Sequence, residues 1–589
     1  MLALMNELGA LGAKALKAAL GPDAAVGDVL SMTRAARPEL GDLQCNAAMQ
    51  LAKALKKPPR AIAELLVAGL VHPAIASARI DGPGFVNIVL AERWVAEHAL
   101  RPMAMSQIGV GQRVVIDYSS PNVAKPMHIG HIRSTIIGEA LKRVLRAVGY
   151  EVIADNHLGD WGTQFGKLIV AWRRWLDRDA FERSPVDELL RLYIKFTDDE
   201  KAERAALGAP VPDGEDDGAV KAATPLLAAA HAELVKLQQG DAENLALWQQ
   251  FIAVSQREFD RVYQRLGVSF DVTHGESFYN DQLPATVERL VKDGLAVESQ
   301  GALVVLFTKD QDGEDLPPFM IRKSDGGFNY GTTDVAGMLY RMRTWQPARI
   351  LIVTDERQQL HFRQLFAVAR RLGVTASLEH IWFGLMRLPE GTFSTREGNV
   401  IGLEALLDEA ERRAEAVAAE SNPELDAAAR KEIARVVGLG AVKYNDLSRD
   451  RQTLITFTWD KALALTGNTA PYLQYAYARI CSILRKAEAE PSHPTSHDSS
   501  PLSATERALA LSLLGFDEAV EAVAKSTRPH FLCDYLFSLA QAYSTFYANC
   551  PVLKAEPEVR ATRLQLCRAV AQTLKQGLDL LGIEVVEEM

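Results

Sequence analysis

Cysteine is scarce. Cys45, Cys481, Cys533, Cys550 and Cys567 are five in number, widely spaced and without a C-x-x-C pair, which argues against a disulfide framework or a thiolate zinc site. No uncharged apolar run approaches the roughly 20 residues that a membrane helix needs. The opening stretch carries Glu7, Lys14 and Lys17 in place of a basic start followed by an apolar block. It reads as an amphipathic helix and not as a secretory signal, and the expectation is a soluble, cytoplasmic protein with no membrane partner. An excess of basic charge is also missing. The net charge is −10, so a nucleic-acid partner would have to be met by local patches. Neither a P-loop Gly-Lys-Ser/Thr nor a G-x-G-x-x-G at a strand end is present to take a phosphate. His493 and His497 have a metal-binding spacing but lie among prolines and serines that cannot be helical, and no metal site is expected there.

What is present is the composition of a globular protein, 48% hydrophobic and 24% charged over 589 residues, too long for one core. Helical stretches and the alternating strand Phe85–Leu90 make residues 1–107 a small α+β domain. From Arg113 the pattern changes. Val114-Val-Ile-Asp-Tyr118 is a β-branched run closed by Ser119-Ser-Pro-Asn122. A helix follows with apolar positions at Ile129, Ile132, Ile136, Ala140, Val144 and Val148, and a second strand starts near Val152. Strand–helix–strand of this kind opens a parallel nucleotide-binding sheet. Strand-like runs recur at Arg349–Thr354 and near His380–Phe383, so residues 108–400 are expected to form a Rossmann-type α/β domain split by a helical insertion at about 164–279, which includes the acidic stretch 209–218. Every segment after about residue 400 reads as helix: a connecting segment at 401–429, then an all-helical bundle at 430–589.

The chemistry concentrates in Ser119-Ser-Pro-Asn-Val-Ala-Lys125-Pro-Met-His128-Ile-Gly-His131, between the first strand and its helix. Anions dock at this position against free backbone N–H groups and the positive end of the helix dipole. His128 and His131, three apart, share one face of the first turn, and Gly130 leaves room for a flat ligand. Two imidazoles with Lys125 nearby can donate to phosphate oxygens as charge builds during attack at phosphorus. Two histidines on a helix are more commonly a solvated or core pair. The combination of strand, Pro/Gly loop, His-Ile-Gly-His and amphipathic helix favours the phosphate reading.

These residues, with Arg133-Ser-Thr, resemble the HIGH signature of class I aminoacyl-tRNA synthetases in its arginyl form. Further blocks are similar in family order: Asn156–Gly166, Tyr330-Gly-Thr-Thr-Asp334, Gln358-Gln-Leu-His361 and Gly467–Tyr475. Gly41–Ala52 and Gly82–Phe85 resemble the family's N-terminal domain, and Leu581–Met589 its C-terminus. The resemblance implies ATP-dependent ligation of L-arginine to its tRNA through an arginyl-adenylate, with Mg-ATP as substrate complex and no zinc. It further implies transfer to a 2′-hydroxyl and activation that requires bound tRNA.

A planar guanidinium with five donors calls for carboxylates. By the family's pattern Asp117, Tyr330 and Asp334 would hold the guanidinium, and Asn122 and Gln358 the α-amino end. Asp334 could equally cap a helix starting at Val335. Lysine and citrulline should be poor substrates, the first for want of a bidentate contact and the second for leaving a carboxylate unpaired. The second class I signature departs from pattern. Gly391-Thr-Phe-Ser-Thr-Arg-Glu-Gly398 has no lysine; Ser394, Thr395 and Arg396 stand at the matching ATP-binding positions, with Arg396 either a phosphate contact or a solvated loop residue. In arginyl enzymes of this kind a lysine before the HIGH peptide supplies the charge, here Lys125.

Candidate RNA contacts are the basic cluster Lys53, Lys56, Lys57 and Arg60 and, in the C-terminal bundle, Tyr472, Tyr475, Tyr477, Arg479, Arg485 and Lys486, the latter suited to stacking on single-stranded bases although tyrosines at helical spacing are more often core. A monomer is expected. The competing readings are a cysteinyl enzyme, against which the scattered cysteines argue; a small nucleotidylyltransferase, which would not need the C-terminal helices; and a tRNA-binding relative with a dead site, against which the intact motif argues.

Overall fold

Alternation and turn chemistry build the N-terminal segment first. Helices α1 (Leu2–Leu20), α2 (Ala47–Leu55), α3 (Pro59–Gly69) and α4 (Glu92–Ala99) pack with strands β1 (Met32–Arg34), β2 (Leu43–Cys45), β3 (Ile75–Asp81) and β4 (Phe85–Leu90), an antiparallel sheet in the order β1-β2-β4-β3. The computed structural model describes residues 1–101, 105–208, 224–324, 326–388, 391–392, 402–488 and 501–589. The acidic stretch 209–218, the Ser394–Arg396 peptide and the His493/His497 pair lie outside the described residues.

The chain forms two compact units: Met1–Gln107 with Val417–Tyr444 and Leu463–Met589, and Ile108–Ala416 with Asn445–Ala462. The second unit is the expected parallel α/β sheet. Strand β5 (Arg113–Asp117), helix α5 (Ile129–Ala147) and β6 (Glu151–Asp155) form a right-sized crossover, and all six apolar positions of the helical repeat from Ile129 to Val148 are buried. Gly138 lets α5 close on the strand, since a Cβ there would lie 2.2 Å from the Tyr118 ring. The insertion supplies α6 (Thr163–Trp175), α7 (Arg178–Arg183), α8 (Pro185–Leu207), α9 (Pro225–Gln238) and α10 (Ala242–Leu266). Next come α11 (Leu283–Lys292) and a three-stranded antiparallel sheet of β7 (Ala296–Ser299), β8 (Ala302–Val305) and β9 (Phe319–Arg322), with the short α12 (Lys309–Asp312) between β8 and β9. Periodicity missed this sheet because each strand spans four residues, too few to separate alternation from helix.

Helix α13 (Tyr330–Trp345), strand β10 (Arg349–Ile352), helix α14 (Gln359–Arg371) and strand β11 (Ser377–His380) complete the parallel sheet, in the order β11-β10-β5-β6. Buried on both faces, β5 and β10 read as continuous apolar runs. Their register pairs Ile352 with Asp117 and Asp117 with Asp155, so the strands end together and their loops emerge along one edge. The crossover through α5 leads to one side of β5 while β10 lies on the other, which makes the end of β5 the switch point where α/β sheets bind ligands.

Strand β12 (Met386–Leu388) pairs with β13 (Gly391–Thr392) and, in parallel, with β14 (Ile455–Thr456). The all-helix expectation beyond residue 400 therefore misses β14, and Asn445–Ala462, within the span read as bundle, belongs to the sheet-bearing unit. The physical reason is Arg133, only 1% exposed, whose guanidinium donates to both oxygens of Asp446 (3.0–3.1 Å) and to the carbonyls of Gly384, Arg451 and Thr453. A buried cation with every contact satisfied is costly to disconnect. The remaining helices are α15 (Leu403–Ser421), α16 (Ala427–Leu447), α17 (Trp459–Ala462), α18 (Ala470–Glu488), α19 (Ala504–Leu513), α20 (Phe516–Ser526), α21 (His530–Asn549) and α22 (Pro557–Leu580). In the first unit, the N-terminal segment is tied to the bundle helices by Arg507–Asp42 (2.6 Å) and Arg34–Glu518 (2.9 Å).

Candidate active site

The loop leaving β5 is strained. Ser119, Ser120 and Ala124 have φ of 73°, 47° and 63°, a region that a Cβ makes unfavourable and that persists only where surroundings enforce it. Here they do. Ser119 N–H donates to Ser134 Oγ (2.9 Å), and the Ser119 hydroxyl meets Thr135 and Tyr263 hydroxyls, each at 2.8 Å. Ser120 N–H donates to Asn156 Oδ1 (3.1 Å), and Ala124 N–H to Ser255 Oγ (2.9 Å). Ser134 and Thr135 of the Arg133-Ser-Thr block thus shape the loop.

At the tip of α5 the two histidines cap each other. His128 is the N-cap, its Nδ1 accepting from Gly130 N–H (3.0 Å), while His131 Nδ1 accepts from His128 N–H (3.1 Å); the ring centroids are 4.0 Å apart. With both Nδ1 atoms accepting, each neutral ring carries its proton on Nε2, a tautomer assigned from the hydrogen bonds. Burial, and secondarily the charges of Arg357 and Lys125, hold the His128 pKa down to about 4. Burial, and next His128, hold that of His131 to about 3. Both are therefore neutral donors at physiological pH. Gly130 does not simply leave room for a ligand: a Cβ there would stand 2.7 Å from His128 Cε1, so glycine makes space for the imidazole itself. Lys125 Nζ lies 4.6 Å from the centroid of the Tyr193 ring on α8.

A second pole, acidic, faces the same edge. Tyr330, Asp334 and Arg341 lie on one face of α13. This helix begins at Tyr330, with Asn329 as N-cap, so Asp334 is not a cap. Its Oδ2 is instead 2.6 Å from His361 Nε2, and the ring of Tyr330, 55% exposed, lies tilted against His361 with centroids 5.0 Å apart. Asp117 is occupied within the protein: Arg341 Nη2 reaches Asp117 Oδ2 at 2.5 Å and Asp155 Oδ2 at 2.8 Å, and Ser120 Oγ donates to Asp117 Oδ1 at 2.9 Å. Asn122 and Gln358 are exposed at the loop ends after β5 and β10, Asn122 bridged to Gly159 and Gln358 closing the turn Glu356–Gln358. The ATP-binding candidates Ser394, Thr395 and Arg396 lie outside the described residues.

Sequence reasoning missed His157, Glu276, Arg341 and His361 as parts of this pole. His157 Nδ1 donates to the His274 carbonyl at 2.9 Å; a carbonyl can only accept, so Nδ1 carries the proton. Burial opposes protonation of this ring, but Asp117 and then Asp334 and Asp155 outweigh burial and the opposing Arg341, and its pKa is raised. Glu276 opens the 3-10 turn Glu276–Gln282. Burial foremost, with Asp334 and Asp160 adding to it against His157, pushes its carboxyl up to about 7. His157 and His361 lie within the family-like blocks Asn156–Gly166 and Gln358–His361, which carried their signal; Glu276 and Arg341 acquire partners only through folding.

In the other unit, Lys53, Lys56, Lys57 and Arg60 are all exposed along the α2–α3 corner. The bundle tyrosines divide. Tyr475 is 44% exposed, but Tyr477 is buried, which corrects its place among the outward aromatics, and Arg479 lies 3.9 Å from the centroid of the Tyr547 ring. Among the described residues no helix is long and apolar enough to cross a membrane.

Known proteins bear the same stamp. Residues 98–459 match the family described as tRNA synthetases class I (R), catalytic domain; 7–90 match the arginyl tRNA synthetase N terminal domain, and 473–589 the DALR anticodon binding domain. Relatives named arginine–tRNA ligase from Chromobacterium violaceum (43% identical, 98% of each chain covered) and Yersinia pseudotuberculosis (42%, 99% of this chain and 100% of the relative) align end to end. The solved Thermus thermophilus arginyl-tRNA synthetase superposes with a TM-score of 0.82 at 28% identity over 100% of both chains, and that of Plasmodium falciparum with 0.79 at 25% over 100% of this chain and 99% of the other. The chain belongs to the arginyl-tRNA synthetase family of class I enzymes.

Proposed function

We propose that this protein joins L-arginine to its tRNA in two steps, working as a cytoplasmic monomer. The arginine carboxylate attacks the α-phosphorus of Mg-ATP, forming a carboxyl–phosphate bond as the bond to pyrophosphate breaks. The 2′-hydroxyl of the tRNA's terminal adenosine then attacks the arginyl carbonyl, and AMP leaves. The observation that carries this reading is the pairing of two unlike poles at the edge of one sheet: neutral imidazole donors with lysine and arginine charges, and a cluster of carboxylates.

At the first pole His128 and His131 donate Nε2–H to phosphate oxygens, over Gly130 and the positive end of α5, while Lys125 supplies the cation and Ser394, Thr395 and Arg396 are further ATP-binding residues. Such preorganised donors stabilise charge as it develops. At the second pole Asp334 and Tyr330 receive the guanidinium, with Asp117 set by Arg341 as its neighbour and Glu276 within electrostatic reach of Asp334. Asn122 and Gln358 orient the α-amino end. Lysine and citrulline fail there, one lacking the fork of donors and the other the charge. The basic α2–α3 corner and the bundle aromatics take the tRNA.

The test is ATP–pyrophosphate exchange with each amino acid, with and without total tRNA. Exchange confined to L-arginine and to reactions containing tRNA is expected. Exchange driven by another amino acid, or none with arginine and tRNA together, would overturn the assignment. Lys125→Ala should lose most exchange activity, on the order of 100-fold.

A further inference from the structure

We propose that Tyr193, on helix α8 of the insertion, is a positioning residue for adenylate formation: its ring holds the Lys125 ammonium where that charge meets the triphosphate. The inference rests on the role given to Lys125 above.

The sequence puts a long, flexible lysine at the mouth of a strained loop, a side chain with many rotamers and a strongly hydrated head. Something must limit where its charge sits. Val123 and Ala124, immediately before it, are buried in a cluster with Phe165, Leu189 and Phe251 of the insertion, and Tyr193 packs partly buried against that same cluster. The ring and the backbone that bears Lys125 therefore share one foundation. Helix α10 fixes the loop as well, because Ser255 accepts from Ala124 N–H at 2.9 Å while donating to the Phe251 carbonyl at 2.8 Å. On this base Lys125 Nζ stands 4.6 Å from the ring centroid, within the range where the ring's negative face attracts a cation. Lys167 Nζ, from α6, stands 5.9 Å from the same centroid. Two ammonium groups at one ring repel each other, and an anion between them relieves that repulsion. Lys125 is also among the charges that keep both His128 and His131 unprotonated, which places it electrostatically with the phosphate-facing rings. The insertion, on this account, serves the chemical step through one aromatic ring.

The experiment is ATP–pyrophosphate exchange by the full-length enzyme with saturating tRNA and arginine. It compares Tyr193→Leu, Tyr193→Met, Tyr193→Phe, Lys125→Ala and the double variant Tyr193→Leu/Lys125→Ala. Removing the ring should lower kcat/KM for ATP by about fivefold to tenfold and leave KM for arginine unchanged. Tyr193→Phe, which keeps the ring, should restore the wild-type value. Without Lys125, removing the ring should cost less than about twofold, since coupled residues do not add. Tyr193→Met keeps the bulk in the cluster without a ring, and it reads the same quantity should the leucine variant not fold. Equal losses in both backgrounds, a phenylalanine variant as poor as leucine, or an unimpaired leucine variant would each sink the role of Tyr193. Near-normal exchange by Lys125→Ala alone is a separate result, which refutes the reading of Lys125 itself.

Discussion

Histidines stand at both poles of the candidate site, and the two poles treat them oppositely. At the tip of α5 burial and nearby cations drive His128 and His131 down to about 4 and about 3. At the acidic pole His157 is also buried, yet Asp117, Asp334 and Asp155 raise it. The difference teaches that the charges around each ring, and not burial alone, set its protonation, and the proposed function gives each pole a ligand of opposite sign. On the proposed reading a phosphate would be met by donors that stay neutral, so no proton would have to be taken up before binding, with positive charge from Lys125 and Arg357. On the same reading a guanidinium would be met by the carboxylates of the acidic pole. His157 and Arg341 offset part of that charge, which keeps the acidic residues tolerable together in the absence of ligand.

The sharpest way to break this comparison is to discharge the acidic pole alone. Asp334→Asn should reduce kcat/KM for arginine by roughly 1,000-fold, because it leaves a desolvated cation without its ionic partner, while KM for ATP stays within a few-fold. Steady-state aminoacylation with each substrate varied in turn reads both numbers, and an equal rise in both KM values would show that the poles are not separate. The converse variant, His131→Asn, should lower the exchange rate by about 100-fold, as expected for loss of one preorganised donor, and leave KM for arginine nearly unchanged.

Legibility in the sequence followed the range of the interactions. The helix from Ile129 and the strands flanking it were readable because their repeats are local and long enough to count. The strain at Ser119, Ser120 and Ala124 was not, since its cause lies in Ser134, Asn156 and Ser255. The same holds for Arg341, which reads as one more charge on a surface helix until β5 and β6 bring Asp117 and Asp155 to it. Gly130 shows the limit even within the motif. Its spacing suggests an open floor for ligand, whereas the space is taken up by the ring two residues earlier. Asp334 reads equally well as a cap, but Asn329 starts the helix more than one turn sooner. Motif spacing therefore brings the candidates around α5 into one peptide, whereas the members of the acidic pole arrive from five separate segments.

A pH titration sharpens the comparison further. Glu276, pushed up to about 7, is only partly ionised near neutrality, and its neighbours are His157, Asp334 and Asp160. A cationic substrate favours the ionised carboxylate, so KM for arginine should fall as pH rises from 6 to 8, by up to about tenfold. Glu276→Gln should flatten that dependence while the KM for ATP follows the wild-type profile. A wild-type KM for arginine that is level across this window would remove Glu276 from the pole.

The smallest effect tests the phosphate pole through stability. The folded pKa of His131 is about 3, against an ordinary value near 6.5 in the unfolded chain. Between these values the unfolded state binds the proton and the folded state does not, so this group's contribution is fully present above pH 6.5 and is lost as pH falls toward its folded pKa. At pH 5 the loss is about 1–2 kcal/mol, which in a chain of this size is on the order of a degree in Tm. Relative to wild type, His131→Asn should therefore gain in Tm as pH drops from 7 to 5, whatever its offset at pH 7. Acidic pairs elsewhere titrate in both proteins and cancel in the difference. A Tm difference that does not move across this interval would mean that the imidazole takes up its proton as readily in the folded protein as in water, and the contrast between the two poles would no longer rest on neutral rings.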